Sequence, residues 1–163
     1  MKSCSFSPIA SASARVLILG TMPGLRSLEL QQYYAHPQNV FWKIFSGLLK
    51  HPYSLDYSER KKMLLQNEIA VWDVLQYCER IGSLDSAIKK EIANDISSFL
   101  KMHPHITHIF FNGQKAATYF KRYICTHKEY IQITLPSTSP ANARLPFATK
   151  LDAWNQIGEY LLP

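Results

Sequence analysis

The apolar run Val16-Leu-Ile-Leu19, entered from Arg15 and stopped by Gly20, limits the fold more than any other stretch of this chain. A strand that is apolar at every position has both faces buried, which requires helices on each side of its sheet. The rest of the sequence supplies them by alternating two periods. Phe41, Ile44, Phe45, Leu48 and Leu49 recur at helical spacing. Residues 56–67 read as a charged helix capped from Asp56 or Ser58, with Met63, Leu64 and Leu65 inward. Residues 68–74, 107–111 and 130–135 read as a second, third and fourth strand. Between the second and third, Ile88, Ile92, Ile96 and Leu100 fall four apart. That stripe predicts one helix, begun from Ser83 or Asp85 and closed by Pro104. Further helices are expected over 113–124 and 149–162, the last with Leu151, Trp154, Ile157 and Leu161 inward.

Strands separated by helices pair in parallel through right-handed crossovers. The expected architecture is α/β, a three-layer sandwich whose central four-stranded parallel sheet is flanked by helices. With 163 residues, 47% of them hydrophobic, the chain is long enough for one well-buried domain spanning 1–163. In such sheets sites gather at the carboxyl ends of the strands. Three loops are expected there, over 20–41, 112–114 and 136–144. The first reads as a long ordered connection with no helix before Phe41, and a loop of that length calls for a function.

Composition removes several classes. No apolar run approaches the roughly 20 residues of a bilayer span, and no apolar segment with a cleavage site follows Lys2. Cys4, Cys78 and Cys125 are odd in number and widely spaced, so neither a disulfide framework nor a metal cluster is expected, and reduced thiols in a cytoplasm are the plain reading. His103, His105 and His108 straddle Pro104 and a strand start, which argues against a shared metal. No GxSxG elbow, P-loop or dinucleotide fingerprint occurs, and Gly20-x-x-x-Gly24 lacks the third glycine. The net charge of +6 suits a polyanionic partner, nucleic acid above all.

Each candidate in the loops has two readings. Asn112 ends its strand and can offer a donor and an acceptor to a base edge, or cap the next helix. Asn39 can orient a water or cap the helix from Phe41. Tyr33 and Tyr34 can stack on a flat ring or serve packing alone. Ser137, Thr138 and Ser139 can bind phosphate through hydroxyls and amides, or form a plain turn between Pro136 and Pro140. Asp73 and Asp85 can act as bases, or as a sheet-end contact and a cap.

Five strings taken in order carry a resemblance: GTMPGLRSL at 20–28, QQYYAHPQNVFWKI at 31–44, GSLDSAI at 82–88, FNG at 111–113 and LPSTSPANAR at 135–144. The sequence resembles the uracil-DNA glycosylase superfamily, and within it the hypoxanthine-DNA (deoxyinosine) glycosylase branch. The likeness covers nearly the whole chain from Arg15 onward. It implies a monofunctional N-glycosylase without a cofactor, acting on DNA that contains a deaminated base, and a monomer suits an enzyme that scans DNA. Such enzymes extrude the nucleotide and read it in a pocket.

In relatives the first loop carries an Asp or Asn that positions the attacking water, and this chain has Met22 there. The resemblance makes Asn39 the substitute catalytic residue and Tyr34 the stacking ring. Gly20, Thr21, Met22 and Pro23 would line the base pocket, and Asn112 would hydrogen-bond the base. Ser137, Thr138 and Ser139 would hold phosphates, with Asn142 or Arg144 entering the gap left by the base. Lys115, Lys121 and Arg122 would add phosphate contacts. A catalytically weak base-binding module, made plausible by Met22, and a nucleosidase acting on free nucleosides are the alternatives.

Overall fold

The computed structural model describes residues 1–161. The strand expected from residues 15–19 forms β2 (Val16–Gly20), with every residue buried. It lies in a four-stranded parallel sheet between β3 (Ile69–Asp73) and β6 (His108–Asn112), with β7 (Ile131–Leu135) beyond β6. The two-residue period of β2 divides the core. Leu17 and Leu19 face one cluster, joined by Ile96, Phe99 and Leu100 of α4 (Ile96–Met102) and by Ala116, Tyr119 and Phe120 of α5 (Gln114–Tyr123). Val16 and Ile18 face the other cluster. Phe41, Trp42, Ile44 and Phe45 of α2 (Phe41–Leu48) fill it, with Met63 and Leu64 of α3 (Tyr57–Gln66) and Trp154 of α6 (Phe147–Asn155). Helices therefore cover both faces, as an apolar central strand requires.

Asp56 caps α3, its carboxylate accepting the Glu59 N–H at 3.2 Å. The last helix is shorter than expected, because a 3-10 turn over Gln156–Tyr160 follows α6. The expected end at Leu162 lies outside the described residues.

Two expectations are corrected. Residues 88–100 are not one helix. Lys89–Ala93 form β5, which pairs antiparallel with β4 (Leu75–Glu79), and β4 pairs on its other edge with β1 (Lys2–Cys4). Helix α4 begins only after Asp95, whose side chain accepts the Ser98 N–H at 3.0 Å. A spacing of four is a multiple of the strand period as well as close to a helical turn, so Ile88 and Ile92 fit both templates. Ile92 is 55% exposed, whereas Ile96 and Leu100 are fully buried. Neither Ser83 nor Asp85 starts a long helix; Asp85 opens a three-residue 3-10 turn, Asp85–Ala87.

The loop after β2 is not helix-free either. It contains α1 (Leu25–Leu30), closed by Gln31 in the left-handed conformation at φ 54°. Its first amide, Leu25 N–H, donates to Ser83 Oγ at 2.9 Å. Ser83 thus caps a helix 58 residues earlier in the chain, a partner that no local pattern could announce.

Among the described residues no helix is long and apolar enough to cross a membrane, and no group of three or more His, Cys, Asp or Glu could hold a metal. His108 is buried against the Tyr160 ring at 3.9 Å, and half-buried His103 stacks on Phe99 at 4.1 Å. Cys4, Cys78 and Cys125 are free thiols.

Candidate nucleic-acid site

The carboxyl ends of β2, β3 and β6 open into a cavity of about 510 Å³. Its wall comes from the segment 20–27, from Tyr33, Tyr34, His36 and Asn39, from Asp73 and Asn112, and from 83–85 and 137–141. The three loops expected at this end of the sheet therefore converge. The 83–85 stretch joins them as a fourth element that local reasoning assigned to a helix cap.

The first loop is pinned on both sides. Val74 N–H donates to Gly20 O at 2.9 Å, and Leu75 N–H to Thr21 O at 3.1 Å. The Arg80 guanidinium donates to Pro23 O and, at 3.3 Å, to Ser83 O, and it lies 3.6 Å from the Asp85 carboxylate. Arg80 is only 2% exposed, so one buried cation holds the first loop to the 83–85 wall. No periodicity marks such a residue, and the sequence reading passes over it. Met22 is 7% exposed and belongs to the core cluster shared with α4 and α5. It contributes an apolar floor to the cavity.

Gly20 is needed for close approach. A Cβ there would lie 2.6 Å from Asp73 Oδ1 and 2.9 Å from Tyr34 Oη. Tyr34 itself sits in the left-handed region at φ 53°. Its ring stacks on Phe41 with centroids 3.9 Å apart and planes 18° from parallel. One face of the ring is thus occupied by the core. Burial raises the Tyr34 hydroxyl far above the ordinary phenol range, and the Asp73 charge adds to this. The Asn112 carboxamide acts in the opposite sense, although no bond of good geometry reaches that hydroxyl. Tyr33 is a packing residue: its ring meets Phe6 edge-on, and its hydroxyl donates to Ser7 O at 2.9 Å.

Asn39 lines the cavity while its Oδ1 accepts the Phe41 N–H at the start of α2 at 3.1 Å. Asn112 also lines the cavity, but it does not cap the next helix as one reading had it, since α5 starts after Gly113 with no side-chain cap. Its Nδ2 donates to Thr138 Oγ1 and its Oδ1 accepts the Thr138 N–H, both at 2.9 Å. This two-bond clasp fixes the 137–141 loop to the end of β6. Gly113, at φ 94°, turns the chain immediately afterwards into α5. Ser137 Oγ accepts the Ser139 N–H, and Ser139 Oγ accepts the Ala141 N–H, both at 3.2 Å. Asn142 lies outside the cavity wall, its Nδ2 donating to Ser137 O at 3.1 Å, and Arg144 is exposed beyond the rim.

Residues 7–158 match the family model described as the uracil DNA glycosylase superfamily. The chain belongs to the uracil DNA glycosylase superfamily. Two curated relatives are both named hypoxanthine DNA glycosylase. One, from Methanosarcina barkeri, is 35% identical over 88% of this chain and 90% of its own length. The other, from Methanosarcina acetivorans, is 36% identical over 85% of this chain and 87% of its own length. A solution NMR structure from Methanosarcina acetivorans, described provisionally as a uracil DNA glycosylase, covers 97% of each chain with a TM-score of 0.83 at 32% identity. The four-stranded parallel sheet with helices on both faces is thus the superfamily's architecture.

Within that superfamily frame two carboxyls stand out, Asp73 buried and Asp85 with its side chain still 39% exposed. Asp73, 3% exposed, has its pKa raised to about 8, first by burial and then by the charge of Asp85, with Arg80 opposing. Asp85 is raised by its own burial, opposed by the Thr21 hydroxyl, Arg80 and Lys115.

Proposed function

We propose that this superfamily member is a DNA repair glycosylase that extrudes a deaminated base and hydrolyses its N-glycosidic bond, with hypoxanthine in deoxyinosine the chief substrate. The observation that carries the reading is the apolar Met22 floor in a cavity otherwise built from superfamily loops, in a chain 35% identical to a curated hypoxanthine DNA glycosylase. A volume of about 510 Å³ accommodates a purine, within the roughly 300–1,000 Å³ usual for small-ligand pockets. Uracil and xanthine are secondary substrates of the same pocket.

In this reading Gly20, Thr21, Met22 and Pro23 form the floor and one wall of the base pocket. Asn39 orients the attacking water, supported by its place in the cavity wall and by a capping bond that restricts its side chain. Tyr34 offers its ring to the base, and Asn112 contributes the remaining hydrogen-bond capacity of its carboxamide. Ser137, Thr138 and Ser139 approach the flanking phosphates, while Asn142 or Arg144 enters the vacated stack. The sugar develops positive character as the base leaves, so stabilising the departing base can replace strong activation of water. The enzyme acts as a monomer of one domain in the cytoplasm; the three free thiols suit that compartment.

The test is alkali cleavage of a labelled duplex bearing one deoxyinosine. Scission by the wild type that falls at least a hundredfold in Asn39→Ala supports the reading. Stable binding without an abasic product would select a base-binding module, and release from free nucleosides alone would select a nucleosidase.

A further inference from the structure

One corner of the cavity is left chemically unfinished. Asp73 ends β3, directly opposite Gly20 in the β2–β3 register, and its carboxyl lines the cavity. Its backbone is secured, since Asn94 Nδ2 donates to Asp73 O at 2.9 Å. Its Oδ2 is nevertheless buried without a hydrogen-bond partner, and so is the neighbouring Tyr34 hydroxyl. Both side chains enter the space that a Cβ on Gly20 would fill. A buried polar atom without a partner calls for an explanation, and a pocket atom awaiting a ligand is one.

The surroundings decide the protonation state. Arg80 is the cation that acts on Asp73, but its guanidinium is engaged by Asp85, Pro23 O and Ser83 O. From the 83–85 wall Asp85 contributes a negative charge, itself moderated by Lys115 of α5. The 33–34 segment presents only the Tyr33 and Tyr34 hydroxyls, and β6 presents the uncharged Asn112. A carboxylate buried in such company is costly, and uptake of a proton removes the cost.

We propose that Asp73 enters the reaction as a neutral carboxylic acid and donates its proton to the departing purine. The step balances. The C1′–N9 bond breaks and its electron pair goes to the base. The Asp73 proton passes to an acceptor on the purine edge, its carbonyl oxygen or an imidazole nitrogen, so the base leaves neutral. Water adds its oxygen to C1′, and the proton it sheds returns to the Asp73 carboxylate through solvent. The raised pKa of about 8 fits the task, because such an acid is protonated at neutral pH yet remains a competent donor. Asp73 is on this view a catalytic residue additional to Asn39, and its role rests on the glycosylase reading above.

The experiment is the single-turnover rate of base release from a deoxyinosine duplex between pH 5.5 and 9.5, for wild type, Asp73→Asn and Asp85→Asn. Wild type should lose about tenfold per pH unit above about 8. Asp73→Asn keeps shape and hydrogen-bond capacity but has no proton to give. It should be slower by about 10²–10⁴-fold at pH 7 and lack the alkaline limb. Ionisation of the deoxyinosine ring would also produce a limb, but that one would survive in Asp73→Asn. Asp85→Asn retains Asp73 and removes the charge that raises it, so its limb should move to lower pH. This arm decides the matter if Asp73→Asn does not fold. A flat wild-type profile, a near-wild-type rate in folded Asp73→Asn, persistence of the limb there, or an unmoved limb in Asp85→Asn overturns the proposal. Absence of base release from the wild type at every pH would instead overturn the glycosylase reading.

Discussion

Asp73 shows how one residue can be visible in a sequence while its chemistry is not. Its position at a strand end was legible, and so was the choice between a base and a structural contact. Its pKa of about 8 comes first from burial and then from the charge of Asp85, against the opposing Arg80, and its carboxyl packs beside Gly20 and Tyr34; these residues are scattered over 66 residues of chain. That shift also affects stability. Between pH 4 and 8 the folded protein holds a proton on Asp73 that the unfolded chain releases, so this group's contribution to stability falls as pH rises. Above about 8 both states are ionised and the contribution levels off. Asp73→Asn should therefore match the wild type in melting temperature near pH 4. It should exceed it increasingly up to pH 8, by several degrees, as read by circular dichroism. A gap that is constant across this range would mean that Asp73 is not protonated in the folded state.

At the scale of elements, strand–helix alternation was read correctly for β2, β3, β6 and β7 and for α2, α3 and α5. The reading failed where periodicity is ambiguous or too short to register. Ile92 sits in an edge strand, with Ile88 just before it, because β4 offers an open edge and Asp95 restarts the helix. Helix α1 spans only six residues and owes its cap to Ser83. The link between β6 and the 137–141 loop is likewise tertiary. Asn112 and Thr138 form two hydrogen bonds across 26 residues. A double-mutant cycle of Asn112→Ala and Thr138→Val, followed by urea unfolding, should reveal a coupling of about 0.5–3 kcal/mol. Additive losses would mean that the clasp is not formed in solution.

For the whole molecule, the net charge of +6 suits a polyanionic partner, and the proposed site says where basic residues would meet it. Helix α5 starts at the cavity, so Lys115 lies beside the site, whereas Lys121 is about 9 Å further along the axis. Arg122 is partly neutralised by Glu91 at 3.3 Å. Lys115→Ala should reduce the salt dependence of duplex binding, lowering the slope of log K against log salt by about 1. Lys121→Ala should leave it unchanged, and equal effects would argue against this orientation on DNA. The sequence alone determined the layer architecture, because a strand apolar at every position must be covered on both faces. It also determined family membership, through five ordered strings. Only the tertiary structure decided that Arg80 ties two loops together and that an aspartate and a tyrosine share the space left by one missing methyl. Local periodicity reports which face of an element is buried; it carries no information about which distant side chains meet at that element's end.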